Sequence, residues 1–109
     1  EQGILDLLSS ILEDAGYSTI VTTNITEAFD HIKSVGLIIT DIRLKNESGL
    51  DLIHKIKKSE DKHIPIIVIS GLDTPGLEEV AIGQGASAFI SKPFTPDELL
   101  EVVKEVNHL

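Results

Sequence analysis

A chain of 109 residues, 41% hydrophobic and 25% charged, makes one domain with a core of its own. Its formal net charge of −9 argues against direct binding to nucleic acid phosphates or to anionic membrane surfaces. It has no cysteine for disulfides or thiolate metal sites, and no apolar run nears the roughly 20 residues that cross a bilayer.

Ile4, Leu7, Leu8, Ile11, Leu12 and Ala15 recur at helical spacing and predict a first helix, with Gly16 placed to cap it. Tyr17 to Thr22 is β-rich and predicts a short strand. Asn24 with Glu27 reads as a capping box, opening a helix whose inner face is Ala28, Phe29, Ile32 and Val35 and which Gly36 ends. Leu37 to Thr40 is a nearly continuous apolar run, the pattern of a parallel strand covered on both faces.

The cycle then repeats. Gly49 precedes a helix with Leu50, Leu52, Ile53 and Ile56 inward, and Pro65 leads into Ile66 to Ile69, the strongest strand signal. Pro75 starts a helix carrying Leu77, Val80 and Ala81, closed near Gly83 and Gly85. Ala88 to Ser91 predicts another strand. Thr95-Pro96-Asp97-Glu98 opens a last helix with an N-cap, a proline and a capping-box Glu, ahead of Leu99, Leu100, Val102, Val103 and Val106. Strand–helix alternation with short connections predicts a parallel α/β sheet. Four strands against five helices leave the first helix without a strand before it.

In open parallel sheets, ligands bind outside the carboxyl ends of the strands. Asp41 follows the Leu37–Thr40 run, Ser70 and Gly71 end the strongest strand, and Ser91, Lys92 and Pro93 end the last. Singly these are ordinary turn or solvated residues. Together they bring a carboxylate, a hydroxyl and an ammonium to one rim. An aspartate carboxylate can act as a nucleophile and form an aspartyl phosphate. The transferring phosphoryl group is strongly negative; Lys92 and a bound Mg²⁺ can clamp it while the Ser70 hydroxyl donates to one of its oxygens. Gly71, Leu72 and Asp73 lie in the loop that follows. His31, His54, His63 and His108 show no ligand spacing, and Lys55, Lys57 and Lys58 read as the solvated face of a helix. Gly83 and Gly85 lack the strand–loop–helix context of a phosphate loop.

Five words carry a resemblance: Leu-Glu-Asp-Ala-Gly-Tyr (12–17), Ile-Thr-Asp-Ile-Arg-Leu (39–44), Ser-Gly-Leu-Asp (48–51), Ile-Pro-Ile-Ile-Val-Ile-Ser-Gly (64–71) and Gln-Gly-Ala-Ser-Ala-Phe-Ile-Ser-Lys-Pro-Phe (84–94). In their order and spacing the whole chain resembles the receiver domain of bacterial two-component response regulators. The resemblance implies a flavodoxin-like, doubly wound parallel sheet of strand order 2-1-3-4-5. Residues 1–109 would form one receiver domain, with no output domain among them. It implies Asp41 as the phosphorylated residue, Lys92 as the phosphoryl-contacting lysine, Ser70 as the switch hydroxyl and Phe89 as the aromatic switch. Lys92–Pro93 matches the family's cis peptide, a geometry accessible before proline. The backbone carbonyl of Arg43 matches a Mg²⁺ ligand beside Asp41. The implied donor is a histidine kinase or a histidine phosphotransfer protein. The implied response is a changed partner face on the last two helices and last strand, including a phosphorylation-dependent homodimer through those helices. By the same resemblance the chain is cytoplasmic, a phosphoacceptor rather than an enzyme, and without direct contacts to nucleic acid or membrane.

Two departures stand out. Lys45 replaces the family's proline four residues after the phosphoacceptor, with Asn46 and Glu47 following; a looser loop is expected, without loss of the site. The acidic pair that holds Mg²⁺, and the first strand that carries it, do not fall within residues 1–109. Glu1 would stand just after that strand, and the chain contains no methionine, so strand and pair are expected upstream. A first strand is central in the 2-1-3-4-5 order, and without it neighbouring backbone groups lose partners. A second reading is a phosphate-independent interaction module of receiver shape; a nucleotide- or small-molecule-binding flavodoxin-like domain is a third.

Overall fold

The alternation of periods resolves into helices layered on a parallel sheet in the computed structural model of the chain, which describes residues 2–22, 25–41, 43, 44, 47–71 and 76–107. Expectations for Asn24, Lys45, Asn46, Leu72, Asp73, Pro75 and His108 lie outside the described residues, as do those for the side chains of Ile4 and Glu47. The elements run α1 (Gln2–Asp14), α2 (Ile25–Asp30), a 3-10 turn (Ile32–Ser34), β1 (Ile38–Asp41), β2 (Arg43–Leu44), β3 (Glu47–Ser48), α3 (Gly49–Lys57), β4 (Ile66–Ser70), α4 (Leu77–Gln84), β5 (Ala88–Ser91) and α5 (Pro96–Asn107). No helix among the described residues is long and apolar enough to cross a membrane.

β1, β4 and β5 form a parallel sheet in that order, the 3-4-5 portion of the expected flavodoxin-like arrangement. Ile38 stands level with Ile66 and Asp41 with Ile69; Ile67 stands level with Ala88 and Ser70 with Ser91. A parallel strand needs cover on both faces, and β4 has it. Ile66 and Val68 pack into a cluster with Ile53, Ile56 and Ala81, whereas Ile67 and Ile69 pack with Leu99 and Val103.

Helix ends follow local chemistry. Ser48 caps α3 by accepting from the Leu50 N–H at 3.1 Å, so Gly49 is the first helical residue rather than the one before the helix. The α5 capping box is reciprocal: the Thr95 N–H donates to Glu98 Oε1 at 2.8 Å, and the Glu98 N–H donates to Thr95 Oγ1 at 3.1 Å.

Two expectations, for the second helix and for Val80, need correction. The second helix does not run on to Val35. It tightens into the 3-10 turn, where the Ser34 N–H and hydroxyl both donate to the His31 carbonyl. Val80 is 47% exposed, because Leu77 and Ala81, four residues apart, are the positions of α4 that face the core. Lys55 and Lys58 are exposed, as expected of a solvated face, with Lys55 Nζ 4.6 Å above the Phe29 ring and Lys57 Nζ donating to the Lys62 carbonyl at 2.9 Å. Arg43–Leu44 and Glu47–Ser48 pair as a small antiparallel ribbon that apolar periodicity gave no sign of.

The largest difference concerns residues 17–22, which form no strand. A strand requires a hydrogen-bonded neighbour, and this segment is tied to α1 instead. The Tyr17 N–H donates to the Leu12 carbonyl at 3.0 Å, and the Thr19 hydroxyl donates to Glu13 Oε2 at 2.8 Å. A groove of roughly 380 Å³ separates the segment from β1, lined among others by Leu5, Leu8, Leu12, Ile20, Ile39 and Val103. Leu7, placed on the inner stripe by its spacing, is 46% exposed on the same flank.

Candidate functional site

Because the three sheet strands are parallel, their carboxyl ends share one rim. β1 ends on Asp41, β4 on Ser70 and β5 on Ser91, with Lys92 next. Registers set these residues at nearly one height: Asp41 is level with Ile69, and Ser70 with Ser91. Adjacent strands lie about 4.8 Å apart, so β4 alone separates the aspartate from the lysine, a span that a lysine stem can bridge.

It does bridge it. Lys92 Nζ donates to Asp41 Oδ2 at 2.5 Å, a charge-assisted hydrogen bond. The two side chains are 28% and 19% exposed, enclosed enough to limit screening by salt yet open to a reactant from solvent. The main chain of Lys92 is anchored too, its N–H donating to the Ser70 carbonyl at 2.8 Å. The Lys92–Pro93 peptide is cis.

Ser70 is 1% exposed, one of two buried polar residues among the described residues. The other, Thr40, donates its hydroxyl to the Asp41 carbonyl at 3.0 Å. Phe89 is half-buried against the cluster of Ile53 and Val68, level with Val68 of β4. Arg43 lies two residues beyond Asp41 in β2, its backbone paired with Ser48. Direct side-chain contact thus joins Asp41 and Lys92; Ser70 meets Lys92 through the main chain; Phe89 packs half-buried against the core.

The Lys92 ammonium can stabilise negative charge that builds beside Asp41. For Mg²⁺, whose octahedral shell is all oxygen and which takes one or two carboxylates besides phosphate and water, the fit is incomplete. Asp41 supplies one carboxylate. Among the described residues no three His, Asp or Glu side chains are grouped to hold a metal ion.

Sequence reasoning passed over two residues at this rim. Thr40 reads as one more member of a strand, and its bond to the Asp41 carbonyl has no sequence signal. Gly71 was visible only as the start of a loop, although the Lys92 stem lies against its backbone.

A family model described as the response regulator receiver domain matches residues 1–104. The polar-differentiation response regulator DivK of Brucella anthropi is 34% identical over 103 residues, covering 92% of this chain and 84% of its own length. The receiver domain of NtrX from Brucella abortus superposes with a TM-score of 0.89 at 34% identity, over 97% of this chain and 91% of that one. A CheY-like response regulator receiver domain protein from Methanospirillum hungatei gives 0.88 at 29% identity, over 99% and 88%.

Proposed function

This chain belongs to the response regulator receiver domain family, and from that premise we propose that Asp41 accepts a phosphoryl group from a phosphohistidine donor. Receiver domains are signalling domains of two-component systems, interact with histidine kinases or phosphotransfer proteins, and generally bind Mg²⁺ at the phosphorylation site. The observation that carries the proposal is the Lys92–Asp41 contact at the carboxyl rim of the sheet. In the proposed step an Asp41 carboxylate oxygen forms a bond to phosphorus while the donor's N–P bond breaks. The electron pair leaves with the imidazole nitrogen, which takes its proton from water. Lys92, released from the bare carboxylate, turns to the equatorial phosphoryl oxygens, where negative charge gathers.

Ser70 and Phe89 form the proposed readout. The added charge draws the Ser70 hydroxyl to a phosphoryl oxygen, and Phe89 moves into the space beside it. The face of α4, β5 and α5 then changes its partner preference; Val80 and Ile82, exposed on α4, suit a second copy of the chain. The reading places the chain in the cytoplasm, with a histidine kinase or phosphotransfer protein as its donor.

Mg²⁺, which receiver domains generally bind at the phosphorylation site, would rest on Asp41 and the backbone carbonyl of Arg43 among the residues of this chain. A phosphate-independent interaction module of receiver shape is the other reading. Phosphotransfer from a phosphorylated histidine kinase separates the two. Label is expected on the wild-type chain, with loss in Asp41→Asn and strong slowing in Lys92→Ala. Label that persists on Asp41→Asn sinks the proposal.

A further inference from the structure

On its way to Asp41 the stem of Lys92 passes across the backbone of Gly71, the residue after β4. A Cβ built on Gly71 would lie 3.3 Å from Lys92 Cδ, 3.6 Å from its Cβ and 3.9 Å from its Cγ, and these are its three nearest neighbours. The first distance is shorter than ordinary van der Waals contact, so a side chain here would displace the lysine. Lys92 has little room to retreat as a whole. Its N–H is bonded to the Ser70 carbonyl at 2.8 Å, and the residue before it is locked in register with Ser70. What yields is the outer stem, which carries the ammonium held 2.5 Å from Asp41 Oδ2.

Backbone conformation does not explain a glycine at this position. The described glycines with positive φ are Gly16, Gly76 and Gly85, and Gly71 is not one of them. Its use lies in the empty space above its Cα.

We propose that Gly71 is a positioning residue for phosphoryl transfer, the size of residue 71 setting where the Lys92 ammonium stands relative to the Asp41 carboxylate. The proposal rests on the reading of Asp41 as phosphoacceptor, and it concerns the geometry of the lysine rather than the identity of the donor. Removing the space should slow the reaction while leaving the fold intact. Alanine at a backbone conformation open to any residue restricts the unfolded chain and tends to raise stability. A merely structural role for Gly71 would move rate and stability together.

The test compares Gly71→Ala and Gly71→Val with wild type, each alone and combined with Lys92→Met, in the full-length protein. Three quantities are followed: phosphorylation rate with acetyl phosphate and with phosphoramidate, thermal midpoint, and the Lys92 side-chain NMR resonances. A displacement of a few tenths of an ångström is expected to slow Gly71→Ala by roughly three- to tenfold, and Gly71→Val by more. The factor should be equal for both donors, the midpoint unchanged or raised in Gly71→Ala, and the Lys92 resonances shifted. With Lys92→Met, the Gly71 substitutions should cost nothing further, since the group they act through is gone. An undiminished loss in the Lys92→Met background overturns the proposal, as does a loss confined to the bulkier donor, which would mean blocked access. If wild type takes no phosphoryl group, the phosphoacceptor reading fails on its own account. The Lys92 resonances then decide the placement: a shift in Gly71→Ala upholds it, and unmoved resonances overturn it.

Discussion

β4 and the flank made by α1, residues 17–22 and β1 both carry apolar residues, yet they end in different states. All five residues of β4 are buried, with helices on both faces and a strand on each side. On the flank, no described side chain of α1 is fully buried, and Ile20 and Val21 are 49% and 45% exposed. The two regions also differ in their neighbours. Strand β4 completes its hydrogen bonds in both directions, whereas β1 completes them toward β4 and faces the groove on the other side. The functional rim joins the two regions, since Asp41 ends the strand at the open edge and Lys92 reaches it from the closed side.

Mutational cost should follow neighbours. Ile53, fully buried between α3 and the sheet, should lose about 3–4 kcal/mol of unfolding free energy on replacement by alanine, through lost transfer energy and a residual cavity. Denaturant midpoints at constant slope measure this. Thr95→Ala, which removes one half of the α5 capping box, should cost about 1 kcal/mol by the same measurement. Leu7→Ala should cost less than about 0.5 kcal/mol, since its side chain is half-solvated. A cost for Leu7→Ala equal to that of Ile53→Ala would break the comparison, because the flank would then be as well packed as the centre.

Legibility in the sequence divides along the same line. The strands were plain in the apolar runs Leu37–Thr40, Ile66–Ile69 and Ala88–Ser91, within a residue of their observed bounds, and the α5 start was plain in Thr95 and Glu98. Those signals are local, so reading them requires no knowledge of neighbours. Tyr17 to Thr22 has equal β propensity and forms no strand, since propensity cannot supply a partner. Leu7 and Val80 fit helical stripes yet are 46% and 47% exposed. At the site, Asp41, Ser70 and Lys92 could be assigned to strand ends from order alone. That Lys92 would touch Asp41 while its stem crossed Gly71 depends on register between strands far apart in sequence, which a linear pattern does not carry.

The most direct test of the account is intact-mass spectrometry of the full-length protein after incubation with Mg²⁺ and a small phosphodonor, beside Asp41→Asn and an EDTA control. The account predicts a single phosphoryl adduct on wild type, absent from the variant and from the EDTA sample. No adduct on wild type, or one that survives Asp41→Asn, would contradict it and leave the rim as a scaffold for partner binding.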